Sequence, residues 1–124
     1  MTHGSRRATK ALVVEDEYLV AMDVERQLRS LGFEVVGPVT RVGEASRLAA
    51  EEDGLAIGVL DISLRNHESW PVARTLRDRG VPFFFLTGRL KRDLNLPSDL
   101  AQTEVCFKPL DPDQLHDVIA RLSR

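Results

Sequence analysis

The sequence predicts an α/β domain built on a parallel β-sheet with helices on both faces. Short apolar runs alternate five times with stretches whose apolar residues recur at helical spacing, and this alternation is typical of a parallel sheet. Two of the runs, residues 55–60 and 81–86, are apolar throughout, which indicates strands buried on both faces. Each of these runs is followed by a polar residue, Asp61 or Thr87.

The first strand and helix are predicted within residues 11–31. Residues 11–14 form a short, valine-containing run that ends at the three acids Glu15-Asp16-Glu17. The helix is predicted from apolar residues at helical spacing, which are Val20, Val24, Leu28 and Leu31. Gly32 follows them, as a glycine beyond a helix C-terminus does.

The second strand is predicted at residues 33–36, because Gly37-Pro38 is expected to end it. Thr40 is a candidate N-cap for the second helix. That helix contains the apolar positions Val42, Ala45 and Ala49 and ends in an acidic turn at residues 51–54.

The sequence signals for the later elements differ in strength. Ser69 and Pro71 predict the start of a third helix with the apolar face Val72, Ala73 and Leu76. Residues 89–101 have poor periodicity and contain Pro97, so the fourth helix is expected to be short or irregular. Residues 104–107 form a fifth strand.

The last helix has the strongest start signal in the chain. Asp111 is its predicted N-cap, with Pro112 at the first helical position. One apolar stripe follows, consisting of Leu115, Val118, Ile119 and Leu122.

These elements and the right-handed crossover rule leave few topologies. The prediction is a (βα)5 flavodoxin-like, doubly wound parallel sheet with strand order 2-1-3-4-5. Residues 1–9 are predicted to be a disordered N-terminal arm, and residues 10–124 a single domain. So short a chain is expected to have little room for an additional effector domain.

Composition excludes several classes of function. The chain has 124 residues, with 17 basic and 19 acidic side chains and a net charge of -2, which argues against nucleic-acid and membrane-surface binding as its main task. No apolar run approaches the ~20 residues of a membrane span, and the N-terminus lacks the apolar stretch of a signal peptide. The single cysteine makes a cytoplasmic location the expectation.

Polar residues follow four of the five predicted strands. They are Glu15 and Asp16 after the first strand, Asp61 after the third, Thr87 after the fourth and Lys108 after the fifth. Ligands of open parallel sheets bind at this edge, where the strand order reverses. Asp16 alone could be a helix cap, but Asp61 ends a buried run, where a carboxylate is costly unless a cation or donor meets it.

The chemistry of this group points to a magnesium ion and a phosphoryl group. Three carboxylates at one edge repel one another and any phosphate, and a divalent cation with oxygen ligands relieves both effects. Asp61 could then attack phosphorus as a nucleophile. Lys108 would supply positive charge to the phosphoryl oxygens, and Thr87 a hydrogen-bond donor.

These residues resemble a response-regulator receiver domain over roughly residues 8–122. The matching segments are residues 13–17, Asp61, residues 82–88 and Lys108-Pro109. The resemblance implies that Asp61 is the phosphoacceptor, that Thr87 is the switch hydroxyl and that Lys108 binds phosphate. It further implies that Mg²⁺ is bound by the carboxylates of Glu15, Asp16 and Asp61 and by the backbone carbonyl of Ser63. It also implies a phosphohistidine donor on a sensor kinase or phosphotransfer protein.

A narrower resemblance is to single-domain receivers of alphaproteobacteria with a Phe-Ala-Thr-Gly-aromatic signature. It is carried by residues 61–64, 68–73 and 80–88, although Leu86 replaces the alanine of that signature and Arg89 its aromatic residue. This subfamily is associated with sensor kinases of the HWE and related classes, so the resemblance implies a kinase of that kind as partner.

Four positions depart from the usual receiver pattern. Arg65 stands where proline is usual, Ser69 replaces a glycine, Val105 replaces the aromatic switch residue and Leu110 replaces a phenylalanine. These departures put the usual signalling surface in doubt, while the acid, threonine and lysine positions are intact.

The resulting hypothesis is a stand-alone receiver that is not an enzyme in the sense of turning over a substrate. It would signal through phosphorylation-dependent binding to an unknown downstream protein, as a monomer or as a phosphorylation-dependent dimer. The alternatives are a phosphorylation-independent pseudo-receiver, a phosphate sink or relay shuttle, and a small phosphatase. A flavin or dinucleotide binder is disfavoured because the first strand is followed by acids and not by a glycine-rich turn.

Overall fold

The computed structural model describes residues 8–123. Along this part of the chain the elements are β1 (Lys10–Val14), α1 (Tyr18–Ser30), β2 (Glu34–Val39), α2 (Val42–Glu51), β3 (Leu55–Asp61), β4 (Ser63–Leu64), β5 (His67–Glu68), α3 (Trp70–Asp78), β6 (Phe83–Thr87), β7 (Val105–Phe107) and α4 (Pro112–Leu122). Two 3-10 turns, Lys91–Asp93 and Ser98–Leu100, lie between β6 and β7. None of the described helices is long and apolar enough to cross a bilayer.

Five parallel strands form one sheet in the order β2-β1-β3-β6-β7. Counted within this sheet alone, the order is 2-1-3-4-5, which confirms the predicted flavodoxin-like fold. The strand order reverses between β1 and β3, the two strands whose ends supply the acidic residues. Because all five strands are parallel, their carboxyl ends meet at one edge, and the register pairs Val14 with Leu60 and Asp61 with Leu86 there.

Alternate residues of each strand enter two separate hydrophobic cores. In β1, Leu12 and Val14 pack with residues of α2 and α3, whereas Ala11 and Val13 pack with residues of α1 and α4. This follows from the two-residue period of a strand, which sends successive side chains to opposite faces. The continuous apolar runs are therefore explained, because neither face of the central strands contacts water.

Gly58 in β3 permits close packing of α3 on the sheet. A Cβ atom at this position would lie 2.6 Å from Leu76 Cδ1 of α3, which is closer than carbon atoms approach. The helix that follows the third strand is thereby fixed against it.

Two predicted residues at helix ends are placed differently by the structure. Leu31 is not on the buried face of α1, because the helix ends at Ser30; Leu31 is 43% exposed at the C-cap, and Ala21 is buried in the helix instead. Thr40 does not cap α2, because the helix begins at Val42 and Arg41 occupies the N-cap position without a side-chain hydrogen bond. Thr40 lies one residue too early for that role.

The predicted end of the second strand at Gly37-Pro38 is also wrong, since β2 continues to Val39. The pairing of β1 with β2 shifts between Leu12 and Val14, which accommodates the extra residue. Pro38 is tolerated because β2 is an edge strand, where a missing N–H leaves no partner unsatisfied. Gly37 has a φ of 107°, and a Cβ there would lie 2.6 Å from the Val13 carbonyl oxygen, so glycine is required.

The fourth helix is replaced by the two 3-10 turns, as its poor periodicity predicted. Asp99 in the second turn accepts hydrogen bonds from Arg74 and Arg77 of α3 at 2.9–3.2 Å. These guanidinium groups hold the pKa of the Asp99 carboxyl well below its usual range. The segment is thus tied to α3 by ion pairs, and Leu100 anchors it in the core.

The predicted N-terminal arm falls mostly outside the described residues, which begin at residue 8. Its last residue, Thr9, takes part in the backbone pairing of the domain: its N–H donates to the Gly54 carbonyl, and its carbonyl accepts from Glu34 N–H, both at 3.0 Å. Among the described residues, hydrogen bonding of the domain therefore includes Thr9, which the prediction placed in the arm.

Arg79 provides a test of how α2 is terminated. Its guanidinium donates to the carbonyl oxygens of Ala49 at 2.7 Å and Glu52 at 3.0 Å, which are among the acceptors that a helix C-terminus leaves unpaired. We expect Arg79→Ala to lower the free energy of unfolding by about 1–2 kcal/mol in urea denaturation. The control is Arg47→Ala, which removes only an exposed ion pair to Glu51 and should cost about 0.5 kcal/mol or less. Equal losses in both variants would contradict the assignment.

Candidate functional site

The predicted polar residues meet at the carboxyl edge of the sheet. One oxygen from each of Glu15, Asp16 and Asp61 lies within 4.8 Å of the others. Lys108 follows β7 and places its Nζ 3.0 Å from a carboxylate oxygen of Glu15 and 3.0 Å from Asp61 Oδ2. Residues far apart in the sequence are brought together because their strands all end at this edge.

Burial sets the electrostatics of the group. Glu15 is 2% exposed and Asp61 7% exposed. Burial raises the pKa of Glu15 to about 7, and the neighbouring Asp61 adds to the rise while hydrogen bonds from Glu17 N–H and Lys108 oppose it. Burial lowers the pKa of Lys108, but its hydrogen bonds to Glu17, Glu15 and Asp61 outweigh that effect and raise the pKa above its ordinary value. The lysine is therefore a permanent positive charge among acids.

Both carboxylate oxygens of Asp61 are held. Oδ1 accepts the Ser63 backbone N–H at 3.2 Å, and Oδ2 accepts Lys108 Nζ at 3.0 Å. Asp61 is the last residue of β3, so the rigid strand fixes its backbone while these two donors orient its side chain. Ser63 is thus at the site through its N–H, and its carbonyl as a metal ligand stays a prediction.

Asp16 is fixed by a hairpin that the sequence did not reveal. Strands β4 and β5 pair antiparallel around Arg65 and Asn66, whose φ values of 47° and 69° are left-handed. The Arg65 N–H donates to Asp16 Oδ2 at 3.1 Å. Turns of this kind are signalled by Asn-Gly or Asp-Gly, and Arg-Asn is a poor signal. Asp16 is not the helix cap, because Glu17 occupies that position.

Thr87 lies at the end of β6 and is 2% exposed. Its Oγ1 accepts the Arg89 N–H at 3.1 Å, and its carbonyl accepts the Lys108 N–H at 2.8 Å. A hydroxyl that accepts one bond still has its own hydrogen to donate. Thr87 is therefore connected to Lys108 by a main-chain hydrogen bond, and its hydroxyl is able to donate a further hydrogen bond.

Glu17 is a further member of the site that was not assigned from the sequence. Its carboxylate contacts Lys108 Nζ, and its backbone N–H donates to Glu15 Oε2 at 3.0 Å. The sequence contains a signal for this role, because Glu17 is the third acid of the run after β1. The receiver pattern, however, assigns only the first two acids of that run, as metal ligands.

The arrangement fits a divalent cation. Glu15 Oε1 is buried without a hydrogen-bond partner, although Lys108 Nζ is 3.0 Å away, and such an unsatisfied buried oxygen favours a ligand. The clustered donors are all oxygen atoms, which is the ligand set that Mg²⁺ prefers. The acidic cluster could therefore hold Mg²⁺.

Comparison with known proteins identifies relatives of the whole domain. No model of a known protein family matches the chain. The solution structure of SdrG from Sphingomonas melonis is similar, with 35% identity, coverage of 97% of this chain and 99% of SdrG, and a TM-score of 0.79. The BeF3-activated conformation of SdrG matches with 35% identity, coverage of 95% and 98%, and a TM-score of 0.74.

The phyllosphere-induced regulator PhyR of Methylorubrum extorquens is 35% identical over 119 residues, which is 92% of this chain. The chain spans 43% of the length of that regulator. The PhyR response regulator REC domain of Erythrobacter litoralis is 26% identical, with coverage of 94% of this chain and 91% of the domain and a TM-score of 0.72. Similarity to SdrG and PhyR agrees with the narrower resemblance to alphaproteobacterial receivers. The end-to-end match to SdrG, together with the sheet order and the acidic edge, shows that this chain belongs to the response-regulator receiver family.

Proposed function

We propose that this receiver accepts a phosphoryl group on Asp61 in a Mg²⁺-dependent step and signals by changing its binding to another protein. The observation that carries the proposal is the placement of the Asp61 carboxylate. It lies within 4.8 Å of oxygens from Glu15 and Asp16, and the Ser63 N–H and Lys108 orient it. The Asp61 carboxylate is thus held beside candidate ligands for a divalent cation, an arrangement that supports phosphoryl transfer.

The donor in this proposal is a phosphohistidine on a sensor kinase, of the HWE or a related class as the resemblance implies, or on a phosphotransfer protein. A carboxylate oxygen of Asp61 forms a bond to phosphorus, the bond from phosphorus to the histidine nitrogen breaks, and the imidazole leaves with that electron pair. Lys108 neutralises charge on the phosphoryl oxygens, and Thr87 donates its hydroxyl hydrogen to one of them. A cytoplasmic location for the domain belongs to the same proposal.

Glu15, Asp16 and Asp61 would hold the magnesium ion, with the Ser63 carbonyl as the further protein ligand. Bound Mg²⁺ supplies positive charge that offsets repulsion between the phosphoryl oxygens and the acidic edge. The protein's own task is positioning, since Asp61 is on a rigid strand and its partners are fixed by neighbouring main-chain groups.

The relation to SdrG supports this proposal. SdrG has a BeF3-activated conformation, and trifluoroberyllate is a chemical analogue of a phosphoryl group. A protein 35% identical to this chain over nearly its whole length therefore has an activated conformation with a phosphoryl analogue.

The alternative of a phosphorylation-independent pseudo-receiver is motivated by Val105 and by the hairpin at Arg65. Val105 lies in β7 beside Phe85 of β6 and is partly buried against the core. A valine at this position supplies no aromatic ring that could follow a movement of Thr87. Neither feature removes a group of the phosphoryl site. A phosphate sink or relay shuttle would use the same chemistry and differ only in its partners.

Phosphorylation is tested by intact mass spectrometry after incubation with acetyl phosphate and Mg²⁺. We expect the wild type to gain one labile phosphoryl group and Asp61→Asn to gain none, because the amide is not a nucleophile for this reaction. Asp53→Asn is the matched control, since Asp53 lies in the turn before β3, at the opposite edge of the sheet. Absence of an adduct on the wild type with acetyl phosphate and with a purified kinase would favour the pseudo-receiver.

Magnesium affinity should depend on pH near neutrality. Burial raises the pKa of Glu15 to about 7, so a proton competes with the metal below that pH. We expect the apparent Kd for Mg²⁺ to rise about tenfold from about pH 8 to about pH 6. The backbone N–H of Arg65 donates to Asp16, so its amide NMR signal reports the titration with Mg²⁺.

Glu15→Gln is the control for this pH dependence. It should bind Mg²⁺ more weakly, with an affinity that changes much less over the same range. An equally steep dependence in Glu15→Gln would show that another group titrates.

A further inference from the structure

Glu17 is an exposed carboxylate whose position is not explained by helix capping. It occupies the N-cap of α1, where short polar side chains are preferred because they bond the first helical N–H groups. The Glu17 side chain makes no such bond and contacts Lys108 Nζ instead. We propose that Glu17 is a positioning residue that holds Lys108 in the unphosphorylated protein and competes with the phosphoryl group for it. This inference rests on the proposed function above.

The hydrogen-bond capacity of Lys108 limits how many acceptors it can bond at once. An ammonium group has three N–H donors. In the structure these donors meet three carboxylates: Glu15 at 3.1 Å, Asp61 at 3.0 Å, and Glu17. A phosphoryl oxygen on Asp61 can therefore be bonded by Lys108 only when one of these carboxylates gives up its contact.

Exposure indicates that Glu17 is the carboxylate that leaves. The side chains of Glu15 and Asp61 are 2% and 9% exposed, whereas that of Glu17 is 61% exposed. Glu15 and Asp61 also belong to the acidic cluster that could hold the metal. Glu17 is outside that cluster, and its carboxylate returns to water when it releases Lys108. Exposed ion pairs are weakly held, which makes this exchange feasible.

Loss of the Glu17 contact therefore favours the phosphorylated state. Glu17 stabilises Lys108 only while no phosphoryl group is present. Removal of Glu17 therefore strengthens binding of a phosphoryl group or its analogue by the factor that corresponds to the free energy of the lost Glu17–Lys108 contact. The expected change is about three- to tenfold, the size of one screened ion pair near a protein surface.

The experiment measures the affinity of the full chain for trifluoroberyllate with excess Mg²⁺ by NMR titration. Glu17→Gln removes the charge. Glu17→Asp keeps the charge but shortens the side chain and supplies a good N-cap residue, which draws the carboxylate to the helix. Glu25→Gln is the matched control, because it removes the same charge from α1 together with the ion pair to Arg29. Circular dichroism verifies that each variant is folded.

We expect both Glu17 variants to bind trifluoroberyllate about three- to tenfold more tightly than the wild type, while the control changes less than about twofold. The side-chain NMR resonances of Lys108 in the unliganded protein provide a second measurement. They should shift in both Glu17 variants and stay in place in Glu25→Gln, whatever the phosphorylation chemistry.

The outcomes separate this inference from the proposed function. Unchanged affinity in both Glu17 variants, or unchanged Lys108 resonances, would overturn the inference. Tightening in Glu17→Gln alone would also overturn it, because the effect would then be the loss of charge at the edge and not the loss of a contact. A wild type that bound no trifluoroberyllate would overturn the proposed function and the competition with it. A shift of the Lys108 resonances would in that case still establish the contact.

Discussion

Repulsion among carboxylates is the constraint on which the rest of the structure depends. The ends of β1 and β3 bring Glu15, Asp16 and Asp61 so close that their oxygens lie within 4.8 Å, and two of these residues are buried, where water does not screen them. Lys108 supplies the compensating charge from the end of β7, and its side chain is 10% exposed. A fold that separated these strand ends would leave buried acids without a partner, so the sheet order and the charge arrangement are two aspects of one requirement.

The scaffold meets this requirement mainly through its backbone. Asp61, Asp16 and Thr87 each accept a hydrogen bond from a main-chain N–H, donated by residues 63, 65 and 89 respectively. Main-chain donors lose little conformational freedom, because the strands and turns that carry them are already ordered. The helices contribute by packing on both faces of the sheet, as Gly58 and Leu76 show for α3.

The fold, and the placement of Glu15, Asp16, Asp61, Thr87 and Lys108 at one edge of the sheet, could be predicted from the sequence because their signals are local. Continuous apolar runs, helical spacing and the polar residues after four of the five strands can be read without the structure. The errors arose where tertiary context decided the outcome: β2 continues through Pro38 because it is an edge strand, and Leu31 is exposed because α1 ends before it. The hairpin and the Glu17 contact were missed for a different reason. The hairpin turn uses Arg-Asn, which propensity does not favour, and Glu17 meets a lysine 91 residues away in the chain.

The hairpin that fixes Asp16 has a consequence for the residues that position 65 can hold. Its contact is made by the Arg65 N–H and not by the arginine side chain, so the contact itself does not require arginine. Proline, the usual receiver residue at this position, cannot make the contact, because it has no N–H and cannot adopt a φ of 47°. A proline at position 65 is therefore incompatible with this hairpin, and it would leave Asp16 Oδ2 without the main-chain donor that holds it.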